Sequence, residues 1–156
     1  SASLVGSEMC IRDRYYNSGQ FWHTLEYLVP LEKDAFTFYE KLGSFYEKKG
    51  YSEISHSRMR RYEILLEYLK EETDVPAEVA AQKMLYDLYL REKLKKRPVF
   101  APDQKQYETA VWNYRKNNQV SKTAHIEVFE NGTVILFDYE KRDPLSKNAY
   151  TEVIQL

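Results

Sequence analysis

Apolar residues recur along this chain with two different periods, and the change between them divides it. As far as Asn117 they fall three and four positions apart, the spacing of one helix face. Gln20 to Val29 reads as a short helix with Phe21, Leu25 and Leu28 on one side, stopped by Pro30. Asp34 to Lys49 is a second helix, with Asp34 as N-cap, Gly50 just past its end, and a stripe of Phe38, Leu42, Phe45 and Tyr46. Ser57 to Glu72 is a third, striped by Tyr62, Leu65, Leu66 and Leu69 and capped by Ser55 or Ser57. Pro76 opens a fourth that runs to Lys95, with Ala81, Met84, Leu85 and Leu88 inward. After a linker at Pro98 to Pro102, Asp103 to Asn117 is the fifth, with Tyr107, Val111 and Tyr114 on one face.

From Thr123 the period becomes two. HIEVF and VILFDY flank ENGT, and Asn131-Gly132 predicts a two-residue type I′ hairpin. That turn would set His125 opposite Asp138, Ile126 opposite Phe137 and Val128 opposite Ile135. Val128, Ile135, Ile126, Phe137 and Tyr139 would then share one buried side. Two strands alone are marginal, so Tyr150 to Leu156 is expected as a third. The fold class that follows is α+β and mainly α: about five helices, then a C-terminal antiparallel hairpin with room for a third strand.

Composition narrows the function classes. Charges nearly balance, at a formal net of −1, so no basic field points to nucleic acid. Fourteen tyrosines, against seven Phe and two Trp, suggest helix faces with an apolar body and a polar rim. No apolar run approaches the roughly 20 residues of a membrane span, and no membrane partner is expected. A single cysteine, Cys10, excludes an internal disulfide and a multi-thiolate metal site.

Candidate chemistry is sparse. His23, His56 and His125 are not spaced as helix ligands, Gly is never clustered, and no nucleophile elbow is present, so no catalytic, cofactor-binding or metal-binding residue is assigned. The densest polar run is Ser55 to Glu63, SHSRMRRYE. There Arg58, Arg60 and Arg61 crowd a helix start, where the dipole disfavours positive charge. His56, Arg58 and Arg61 could grip an anionic ligand or a neighbouring domain, or the arginines could pair with Glu63 and Glu67. The basic cluster Arg91 to Arg97 reads as dipole complementarity and solubility.

Two resemblances add to this reading. Ser3 to Arg14, SLVGSEMCIRDR, resembles the translation of a transposase sequencing adapter, in which CTC GTG GGC TCG GAG ATG TGT ATA AGA GAC spells Leu4 through Asp13. On that reading 1–14 is foreign and disordered, and native sequence starts at about Tyr15 as one domain, 15–156, of an N-terminally truncated parent. Separately, YYNSGQFWHTLEYL (15–28), AFTFYEKLGSFYEKKG, SHSRMRRYEILLEYL, LYDLYLREKLKKRP (85–98) and ILFDYEKRDPLSKNAY (135–150) occur in that order. Together they resemble a C-terminal domain of unknown function that follows the cobalamin-binding and radical-SAM domains of bacterial proteins. The resemblance implies that the parent uses an iron–sulfur cluster on a CxxxCxxC loop, S-adenosylmethionine and cobalamin. None of those motifs lies in this chain, so it would itself carry no cofactor.

The resemblance further implies a cytoplasmic accessory domain packed on the radical-SAM barrel of the same chain. Tyr16 and Asn17 join His56, Arg58 and Arg61 as candidates for contact with substrate or that barrel. An exposed aromatic patch is expected around Tyr15, Tyr16, Phe21 and Trp22. Two other readings compete: a stand-alone helical protein-interaction module of a bacterial protein, and a small hydrolase built on His125 and Asp138.

Overall fold

The computed structural model describes residues 10–156, in two compact units, one running to Met84 and the other from Leu85 to Leu156. Of the stretch read as adapter-derived and disordered, 1–9 lies outside the described residues. Residues 10–14 are helical, with Ile11 buried and Cys10 exposed.

Among the described residues, six α-helices and three strands form a fold that is α+β and mainly helical. Helix α1 covers 10–15, α2 Trp22–Leu28, α3 Ala35–Lys49, α4 Arg58–Glu72, α5 Ala77–Arg91 and α6 Glu108–Asn117. The strands are β1 His125–Val128, β2 Val134–Asp138 and β3 Tyr150–Ile154. Helix α2 ends at Leu28, ahead of Pro30, and the chain turns through the proline in a short 3-10 segment, Val29–Leu31. Asp34 caps α3 by accepting from the Thr37 N–H at 2.7 Å, and Ser57 caps α4 by accepting from that of Arg60 at 3.1 Å. Gly50 closes α3 at φ +73°, a left-handed conformation that costs glycine little.

The core of the first unit is made of rings. Phe21 stacks on Tyr62 at 4.0 Å between centroids, and Tyr15 tilts against Phe21 at 4.6 Å. Each hydroxyl carried inward with these rings finds a partner: Tyr15 OH meets Tyr46 OH and donates to the Arg61 carbonyl at 2.8 Å, and Tyr62 OH donates to the Gln20 carbonyl. Burial pushes the Tyr15 phenol well above its usual range. The turn that delivers Tyr15 and Phe21 to one place needs Gly19, at φ +70°. The tyrosine, glycine and phenylalanine of YYNSGQF are thus fold-making residues.

In the second unit the three strands pair antiparallel in the order β1-β2-β3, and β3 is the expected third strand. The hairpin register differs by one residue from the expected one. His125 faces Phe137, Ile126 faces Leu136, Glu127 faces Ile135 and Val128 faces Val134. The turn explains the slip: the Phe129 carbonyl accepts from Gly132 N–H, and the Phe129 N–H donates to the Thr133 carbonyl, both at 2.9 Å. Gly132 at φ +86° is the bulge residue of a three-residue loop, and Asn131 has no positive φ. Its side chain instead accepts from the Thr133 N–H.

A one-residue slip moves side chains to the opposite face, so the single apolar face expected here becomes two. Phe129, Phe137, Ile135 and Tyr139 pack with Leu85, Tyr89 and Leu90 of α5. Ile126, Val128, Val134, Leu136 and Ile154 pack with Tyr107, Val111 and Tyr114. Both faces of β1 and β2 are covered within their own unit, while β3 stays largely exposed.

Candidate functional site

The most charged interior lies on the α5 side of the sheet. Residues two apart on a strand share a face, so β1 presents His125 and Glu127 together, and Glu127 is fully buried. Arg97 reaches it from the loop after α5, which ends at Arg91 rather than continuing to Lys95. The contact is bidentate: Nη1 donates to Glu127 Oε1 at 2.7 Å and Nη2 to Oε2 at 3.0 Å. Arg97 also donates to the Pro102 carbonyl at 2.8 Å and to Tyr89 OH at 3.2 Å. His125 Nε2 lies 2.9 Å from Glu127 Oε1, and its ring stacks on Tyr89 at 3.7 Å.

Protonation follows from these contacts. Burial holds His125 below the usual histidine range, against the pull of Glu127, so the neutral ring donates from Nε2. Burial alone would raise the Glu127 carboxyl, but hydrogen bonds from Arg97 and His125 outweigh it and hold the group low. The result is an ionised Arg97–Glu127 pair with a neutral histidine attached. Beside it runs a groove of about 470 Å³ lined by Gln104, Trp112, Arg115 and His125. Gln104 uses its side-chain amide as a strand would, accepting from Val128 N–H at 2.8 Å and donating to its carbonyl at 3.1 Å. It thereby covers the open edge of β1.

This geometry removes the His125–Asp138 pair expected from the type I′ register. Asp138 faces Tyr150 and accepts from the Glu140 N–H at 3.0 Å, while His125 bonds Glu127. Among the described residues no hydroxyl or thiol contacts His125 to act as a nucleophile. The Ser121 and Thr123 hydroxyls bond each other and Glu140. A hydrolase built on His125 and Asp138 has neither its dyad nor its nucleophile.

The five residues singled out as contact candidates are spread through the first unit. Tyr16 is 54% exposed and lines an apolar groove of about 480 Å³ with Trp22, which is 58% exposed, and with Arg12, Leu25, Val29 and Tyr39. The other half of the expected aromatic patch is absent, because Tyr15 and Phe21 are buried. Asn17 folds back on α1, donating to Asp13 at 3.3 Å. His56 Nε2 is 2.8 Å from the Tyr51 carbonyl, with its ring edge-on to Tyr46 and Tyr51. The Arg58 guanidinium lies over the Tyr62 ring at 5.7 Å, and Arg61 offers its carbonyl to Tyr15.

Arg60 is the arginine of the run that makes the expected ion pairs with Glu63 and Glu67. It lies 3.4 Å from Glu63 and 3.3 Å from Glu67, and donates to Tyr51 OH at 3.2 Å. That forward pairing along α4 offsets the unfavourable charge at its first turn. Arg97 and Glu127 were not singled out by sequence. Their signal, an acidic residue alternating with apolar ones in a strand whose two faces are both buried, is visible only once the register is known.

Among the described residues no group of three or more His, Cys, Asp or Glu could hold a metal ion, and no helix is long and apolar enough to cross a membrane. No curated protein and no solved structure matches the chain. A family model does, over residues 8–149, a span that begins upstream of Tyr15 and reaches through β2 of the second unit. By that match the chain belongs to the family described as protein of unknown function (DUF4080).

Proposed function

We propose that this chain is the C-terminal accessory domain of a cytoplasmic, cobalamin-binding radical-SAM enzyme, with catalysis residing in the preceding domains. The observation that carries the reading is the groove of Tyr16 and Trp22. Two large aromatics stand in solvent directly beside two that are buried, on an apolar surface of the kind that marks a protein contact. The order of the five resembling segments supports the same reading. The occupant of the groove is the radical-SAM barrel of the same chain; nucleic acid and membrane have no part in this proposal.

With one cysteine, this chain cannot supply the three thiolates of a CxxxCxxC loop, so it holds no iron–sulfur cluster of its own. Its role is to shape and stabilise the barrel. The Arg97–Glu127–His125 network, buried and without a nucleophile, serves the fold of the second unit rather than turnover.

Recovery of the longer reading frame from the source DNA tests the proposal. The expected frame carries CxxxCxxC and a cobalamin-binding domain upstream of YYNSG; an upstream frame without CxxxCxxC overturns it. In the full-length protein, Trp22→Ser should loosen the domain against proteolysis while leaving the isolated chain as stable as before. An equal loss in both would make Trp22 a residue of the domain's own fold.

A further inference from the structure

A cleft of about 780 Å³ lies elsewhere on the first unit, where residues of α3 line it together with the end of α4 and the loop to Pro76. Its size suits a small molecule. Aromatic side chains of Tyr27, Phe45 and Tyr68 form part of its wall, and Glu32, Glu40, Glu72 and Asp74 surround them. Lys41 takes both oxygens of Glu32, at 3.0 and 3.1 Å, and Lys48 takes Glu72 Oε1 at 2.6 Å. Both lysines stand on the exposed rim. Among the described residues, Glu72 Oε2 and the carboxylates of Glu40 and Asp74 have no partner.

Tyr68 supplies an independent sign of a ligand. It is 3% exposed, lines the cleft, and lies edge-on to Phe45 at 5.5 Å, and among the described residues its hydroxyl has no hydrogen-bond partner. Inward phenols at Tyr15 and Tyr62 are bonded. Burial, with Glu32 and Glu72 adding to it, pushes the Tyr68 phenol up to about 12, so it is a neutral hydroxyl near two carboxylates. The negative end of the α4 dipole falls at the same place, where Glu72 and Thr73 end the helix.

The geometry points to a binding site for a small organic ammonium: a primary amine on an apolar or aromatic body. The three N–H groups of the charged head would donate to Glu72 Oε2, Asp74 and the Tyr68 oxygen, with the Glu40 charge close by. The body would pack against Tyr27 and Phe45, where an aromatic wall also favours a cation. An anion is excluded by the carboxylates, and a purely apolar ligand would leave Tyr68 unbonded. This inference does not depend on the chain following a radical-SAM barrel.

The test is a titration of the whole chain at pH 7, followed by NMR of the Tyr68 and Phe45 rings. Benzylamine, cationic at that pH, is compared with benzyl alcohol, its neutral counterpart of the same shape. Benzylamine should give saturable shifts and bind at least about tenfold more tightly than the alcohol, the ratio one charge-assisted hydrogen bond provides. Tyr68→Phe, which keeps the ring, should weaken benzylamine by about tenfold. Asp74→Asn, an exposed change that leaves the fold alone, should weaken it by a few fold. No saturable shift with benzylamine, equal affinity for the alcohol, or benzylamine affinity unmoved by both variants overturns the proposal.

Discussion

The two units bury polarity by opposite means. The first carries inward polar atoms on tyrosines and meets those of its ring cluster with neutral hydrogen bonds: Tyr15 to Tyr46 and Arg61, and Tyr62 to Gln20. The second buries a full charge, Glu127, and neutralises it with the Arg97 fork and the His125 ring. A buried neutral hydroxyl costs about 1–3 kcal/mol when it loses its partner, whereas a buried charge left alone costs about 3–5 kcal/mol. The first unit should therefore yield gradually to single changes and the second abruptly.

The largest expected effect comes from Glu127→Ala. It strands Arg97 and His125 in the interior and should destabilise the second unit by about 3–5 kcal/mol in urea unfolding followed by amide NMR signals. Tyr15→Phe is the matching change in the first unit. It removes one hydroxyl and keeps the ring, and should cost about 1–3 kcal/mol by the same measurement. If the two losses proved equal, the contrast between charged and neutral burial would fail.

Changes of pH probe the second unit chiefly from the acid end and the first from the alkaline end, where buried Tyr89 of the second unit is raised as well. His125 titrates below its ordinary value in the folded chain, so the unfolded chain takes up that proton first. Stability of the second unit should begin to fall as pH drops below about 6.5. It should fall further once the pH passes below the usual carboxylate range, where Glu127, held low by Arg97, is finally protonated. In the first unit the Tyr15 and Tyr46 phenols are raised, so their contribution is complete below pH of about 10 and is lost above it. Unfolding midpoints of the two sets of amide signals at acid, neutral and alkaline pH check both signs.

Smaller effects probe the turn. Gly132→Ala forces a side chain into positive φ and should cost about 1 kcal/mol, confined to the second unit. Asp138→Asn should change stability by less than about 0.5 kcal/mol, because Asp138 faces Tyr150 and not His125. A large loss from Asp138→Asn would restore the His125–Asp138 pairing and the register that goes with it.

Local rules acting over a few residues determined much of this protein from its sequence alone. The helix stripes of Phe38, Leu42, Phe45 and Tyr46, and of Tyr62, Leu65, Leu66 and Leu69, are buried. The Asp34 and Ser57 caps, the Gly50 terminus and the third strand also form as their chemistry requires. Each depends on near neighbours, through helical periodicity, a side-chain oxygen three residues from an amide, or a glycine at positive φ. The tertiary structure decided what hangs on distant partners. It chose a bulged three-residue turn over a type I′ turn, and that one-residue difference split one apolar face into two and moved His125 from Asp138 to Glu127. It drew Arg97 out of a basic run that looked like solvent-facing charge and brought it to a carboxylate thirty residues away. It also buried Tyr15 and Phe21 while leaving Tyr16 and Trp22 in solvent. The physical reason is the same in each case: spacing fixes which side of its own element a residue takes, but only packing fixes what that side meets.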